Sequence, residues 1–157
     1  MRNMSLLFLC LLFTTGLLNA QEPAKIERVF QLGELEQGYE ALNQAYTLSL
    51  LEVHGNDMRM ALNKWLDMLQ GMERYAEETD FQLKGIKVWM HVFWNKEGTI
   101  DYLGYFLQPE SRNVEEEQLE SFFRKFADNY QLPVDTDRKF THYGGASFPT
   151  LGEKVDN

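Results

Sequence analysis

Residues 86–95 and 99–107 are two runs dense in β-branched and aromatic side chains, held apart by Asn95-Lys96-Glu97-Gly98. Such runs on either side of a short turn with a late glycine form a β-hairpin, and this feature restricts the fold more than any other. Gly98 suits the left-handed position that closes a three-residue loop, so Asn95 pairs with Thr99. Counting outward in steps of two puts Val88, Met90, Val92 and Trp94 with Ile100, Tyr102 and Phe106 on one face. The other face then carries Trp89, His91 and Phe93 with Leu103 and Tyr105. Neither face is polar, so both need cover, one from helices before the hairpin and one from a helix after it.

Helices are legible on both sides. Residues 21–33, which contain Pro23 and Gly33, read as a lead-in. Leu35, Tyr39, Leu42, Tyr46, Leu50 and Val53 then recur at steps of three and four, the spacing of one helical face that stops at Gly55. Asn56 and Asp57 can cap a second helix with Met58, Ala61, Leu62, Trp65, Met68, Leu69, Met72 and Tyr75 as its apolar positions. A connection this short makes the two antiparallel neighbours. Downstream, Asn113 and Glu116 have capping-box spacing, and Leu119, Phe122, Phe123, Phe126, Ala127 and Tyr130 form a third helix that ends before Pro133. Arg138-Lys139-Phe140-Thr141-His142-Tyr143 alternates as a last strand, with Gly144-Gly145 expected to break it. The expected architecture is a single α+β domain over 34–151. A helical hairpin (34–80) precedes a ββαβ unit (81–151) with a small, mainly antiparallel sheet, and 152–157 form a tail.

The N-terminus reads as an export signal. Arg2 precedes the apolar run of residues 6–13, and Leu18-Asn19-Ala20 ends on a small residue before Gln21-Glu22-Pro23, so cleavage is expected after Ala20. The uncharged core is shorter than the roughly 20 residues a membrane-spanning helix needs. Cleavage leaves no transmembrane segment and places the protein in the periplasm or outside the cell. It also removes Cys10, the one cysteine, and with it any disulfide, thiol nucleophile or thiolate metal site. With 24 acidic against 15 basic residues the chain repels phosphate backbones, and nucleic acid is not an expected partner.

No pattern of residues amounts to a catalytic site. His54, His91 and His142 lack partners at metal-binding spacing. His54 falls at a helix C-terminus, where a partly charged imidazole would cap it. Gly145-Ala146-Ser147 begins like a nucleophile elbow, but Phe148-Pro149 stands where the second glycine and a helix should follow. Glu115-Glu116-Glu117 matches a helix dipole, and Asp135-Thr136-Asp137 lacks the glycine and terminal glutamate of a calcium loop. No cofactor is expected. A small secreted hydrolase using His142 and Ser147 is the enzyme alternative. A carrier holding an apolar ligand against the methionines of the second helix, Met58, Met60, Met68 and Met72, is another.

The order of Lys84-Gly85, a strand, Lys96-Glu97-Gly98, a second strand, an amphipathic helix over 115–130, Leu132-Pro133 and a final strand resembles the C-terminal domain of TonB-type proteins. The resemblance is one of layout over residues 81–150. It implies an exported domain whose exposed final strand adds to the sheet of a partner, a role that falls here on Lys139, Phe140, Thr141, His142 and Tyr143. The proline-rich, envelope-spanning linker of that family is absent, and a two-helix segment stands in its place. The expected function is that of a non-catalytic envelope protein that binds another protein or peptide. Contact would run through that strand edge or an aromatic face carrying Trp89, Phe93 and Tyr105.

Overall fold

The computed structural model describes residues 26–34 and 36–151. The expected signal, residues 1–20, and the tail, 152–157, lie outside the described residues. In chain order the elements are β1 (Val29–Gln31), α1 (Glu36–Ala45), β2 (Leu48–Ser49), α2 (Leu50–Val53), α3 (Met58–Glu78), β3 (Lys87–Trp94), β4 (Ile100–Leu107), α4 (Glu116–Asn129) and β5 (Phe140–Ser147). The five strands form one sheet in the order β1-β4-β3-β5-β2. Its centre is antiparallel, while β1 runs parallel to β4 and β2 parallel to β5. The chain is α+β, as expected.

The hairpin turn sits where the sequence places it. The Asn95 N–H donates to the Thr99 carbonyl at 3.0 Å, and Gly98 has a φ of +82°. Gly98 is required twice over, since a Cβ there would also lie 2.1 Å from the Leu132 carbonyl oxygen.

Beyond the turn the expected faces are wrong for β4. Trp94 pairs with Ile100, but Phe93 pairs with Tyr102, so Asp101 is an extra residue in β4. A one-residue slip turns every later side chain over. Leu103 and Tyr105 therefore join Val88, Met90, Val92 and Trp94 in the core, while Tyr102 and Phe106 join Trp89, His91 and Phe93. The bulge is fixed by polar contacts to Asp101. The Tyr46 hydroxyl donates to its carboxylate at 2.6 Å, and Lys139 Nζ lies 3.3 Å away. Burial and this carboxylate together raise the Tyr46 pKa, which keeps the phenol protonated.

The face carrying Val88, Met90, Val92 and Trp94 is covered by α3 and α4. Trp65, Met68, Leu69 and Met72 come from α3, and Leu119, Phe122, Phe123 and Phe126 from α4. Side chains of this size contribute roughly 1.5–3 kcal/mol each when fully buried, so this layer carries most of the stability.

The segment expected to be one helix up to Val53 is split. α1 stops at Ala45, β2 follows, and Ser49 caps α2 through a capping box with Glu52. The sequence periodicity is real, but its residues serve different faces. Leu42 and Tyr46 pack with Phe30 and Phe93 on the outer face, whereas Leu50 is in the main core. The chain crosses the sheet edge between them, so α1 is not the antiparallel neighbour of α3. Gly55 does mark the break before α3, with a φ of +64° and Asp57 as the N-cap. The Asn113 capping box does not form, and α4 starts from Glu115 without a side-chain cap.

Candidate functional site

β5 runs straight through Gly144 and Gly145. Neither glycine has a left-handed φ, so they are present for space. A Cβ at Gly144 would lie 3.2 Å from Trp65, and one at Gly145 3.2 Å from Cζ3 of Trp89.

The outer edge of β5 is paired only at its start, where Phe140 and Thr141 align with Leu48 and Ser49 of β2. Past Thr141 no strand lies beside it among the described residues. Phe148 fixes which groups point outward. Its N–H donates to Ile86 at 3.0 Å, and its carbonyl accepts from Gly85 at 2.8 Å, both toward β3. Alternation along an antiparallel strand turns the N–H and C=O of Tyr143, Gly145 and Ser147 away from the sheet.

Next to this edge lies an aromatic patch. α1 covers half of the outer face, burying Phe93, and stops short of the rest. There Trp89 is 41% exposed, and Phe106 and Tyr143 are each 52% exposed. Trp89 leans over Gly145 and stacks on Tyr143 with 5.6 Å between centroids and 2° between planes. His91 marks the border with α1. It is 8% exposed, bonds the Tyr39 hydroxyl through Nδ1 at 2.8 Å, and meets Tyr143 edge-on at 5.5 Å. Burial, with a smaller effect from His142, lowers its pKa to about 4, so the ring is neutral at neutral pH.

Seven of the eight expected binding residues divide into three groups, and the eighth, His142, turns its side chain to the core face. Trp89 and Tyr143 are exposed and stacked together as the patch requires. Phe93 and Tyr105 are buried and offer no surface. Phe93 lies under α1, and Tyr105 packs on Phe123 at 5.3 Å with its pKa pushed up to about 12 by burial and by Glu120. Lys139, Phe140 and Thr141 are engaged internally. Lys139 pairs with Asp101, Phe140 stacks on Trp94, and Thr141 aligns with Ser49 while its hydroxyl donates to the Val92 carbonyl at 2.8 Å. The edge without a strand partner is therefore residues 142–147, with α2 packed against β5, and does not start at Lys139. Phe106 belongs to the patch, where the bulge at Asp101 turns it from the face that regular alternation predicts.

His142 and Ser147 are not brought together. His142 shares the core face with Phe140, its ring 4.6 Å from Trp65, while Ser147 aligns with Lys87 on the outer face. Five residues of strand also separate them by about 16 Å. His54 is the C-cap of α2, but burial and Lys64 lower its pKa, so it is not the charged cap expected. Met68 and Met72 are fully buried core, which leaves the carrier reading without their surface. Among the described residues no group of three or more His, Cys, Asp or Glu is placed to hold a metal ion. No described helix is long and apolar enough to cross a membrane. Compared with protein-family models, curated proteins and solved structures, the chain gives no significant match.

Proposed function

We propose that this chain is an exported, non-catalytic cell-envelope protein that binds another protein or a peptide by adding a strand to β5. The observation that carries the reading is the unpaired edge at 142–147 beside the exposed Trp89, Tyr143 and Phe106. Outward N–H and C=O groups supply affinity to an extended chain, and neighbouring side chains supply selectivity. The layout shared with TonB-type C-terminal domains points the same way, and the leader-like residues 1–20 support export.

The test compares Gly145→Pro with Gly145→Ala in capture from an envelope extract. Proline removes the outward N–H at an edge position where it can be accommodated, whereas alanine keeps it. Loss of the captured partner in the proline variant alone, with both variants folded by circular dichroism, is the expected result. Retention of every partner by a folded proline variant contradicts edge binding. Export is checked separately by mass spectrometry of the secreted form, which should begin at Gln21.

A further inference from the structure

Resting on that edge-binding reading, we infer the chemistry of the partner: an extended segment carrying an apolar, preferably aromatic, residue and a carboxylate two positions apart on the same face. Trp89 and Lys87 occupy neighbouring outward positions on β3, and the register sets them opposite Gly145 and Ser147 of β5. The small residues of β5 leave the space above that strand to the longer side chains of β3. Trp89 already takes it, approaching the Cβ position of Gly145 to 3.2 Å. A strand added outside β5 thus meets Trp89 and Tyr143 at one position and comes within reach of Lys87 two residues along.

Charge selects the second group. Lys87 is the one charged side chain that the register places on the uncovered half of this face, and among the described residues it forms no ion pair. An isolated cation on a protein with a net charge of −9 favours an anionic partner at that spot and nowhere else on the face. Area excludes a second copy of the chain as the natural occupant. Three half-exposed aromatic rings offer on the order of 300 Å², against the roughly 800 Å² each partner contributes to a stable dimer. A short extended segment fits this scale.

The experiment uses the full mature chain and blocked synthetic pentapeptides. The parent is Thr-Phe-Thr-Asp-Thr, with one variant carrying Lys for Asp, one Ala for Phe, and two N-methylated on alternate amides, one for each register. Trp65 and Trp94 are buried, so a change in tryptophan emission on titration reads Trp89. The parent should bind about tenfold more tightly than the Ala variant. It should bind about threefold more tightly than the Lys variant, as expected for a partly exposed ion pair. Lys87→Glu should reverse the preference between the Asp and Lys peptides. Equal binding of those two peptides, or an unchanged preference in Lys87→Glu, overturns the inference and leaves the edge reading standing. Binding that survives N-methylation in both registers of alternate amides overturns the edge reading. Failure of the parent to bind overturns the inference, and the proline and alanine comparison at Gly145 then decides the edge reading on its own.

Discussion

Both faces of the sheet carry large aromatic and apolar residues, but the two end in different states. On the inner face Val88, Met90, Val92, Trp94, Leu103 and Tyr105 are at most 1% exposed beneath α3 and α4. On the outer face α1 buries Phe93 but leaves Trp89, Phe106 and Tyr143 open. Hydrophobic content alone thus does not distinguish core from open surface. Element length does: α3 spans 21 residues and α1 only 10, too short to reach the far end of the face. An open aromatic cluster beside an unpaired strand edge is the feature on which the proposed edge binding rests.

Inserting one alanine between Tyr102 and Leu103 should have the largest effect, since it overrides the sorting of residues between the faces that the bulge sets. By alternation Leu103 and Tyr105 would turn outward and Phe106 inward. Loss of the cooperative thermal transition is expected. Retention of a native-like melt would show that the register beyond the bulge does not set the faces. Phe123→Ala, on α4 against Tyr105, should cost about 3–5 kcal/mol in urea unfolding, the range for a large aromatic removed from a packed interior.

A pH titration probes the border between the covered and open halves. His91 is held neutral in the folded protein down to about pH 4, whereas in the unfolded chain it takes up a proton near pH 6.5. The unfolded state therefore binds more protons between these values, so stability falls as pH drops from 6.5 toward 4 and this contribution then levels off. The loss assigned to His91 is on the order of 3 kcal/mol. His91→Phe should flatten that part of the profile, leaving the smaller contribution from His142, whose pKa burial also lowers. An unchanged slope would place the pH dependence elsewhere. The smallest effect on stability is expected from Trp89→Ala, at about 1 kcal/mol or less, because the ring is 41% exposed. A cost like that of Phe123→Ala would make the outer patch a second core.

How legible this was from sequence follows the range of the forces involved. The turn at Gly98, the break at Gly55 and the stripe of α4 depend on local conformation and spacing, and the structure reproduces them. The bulge at Asp101 depends on Tyr46 and Lys139, which are distant in sequence, so the expected faces failed from Tyr102 onward. β1 and β2 were not foreseen, because strands of 3 and 2 residues carry too little alternation to register. Gly144-Gly145 looked like a break because the reason for both glycines is space for Trp65 and Trp89, a tertiary fact. Of the candidate site, Trp89 and Tyr143 were found from their residue types. Phe106, Gly145 and Lys87 could only be placed once the register was known.

Amide hydrogen exchange along β5 tests the central claim most directly. In the free protein the amides of Tyr143, Gly145 and Ser147 should exchange quickly, and those of Gly144 and Ala146, turned toward β3, slowly. Adding the Thr-Phe-Thr-Asp-Thr peptide should slow the first set and leave the second unchanged. Equal protection of both sets in the free protein, or no slowing of the outward amides at peptide saturation, would contradict strand addition at this edge.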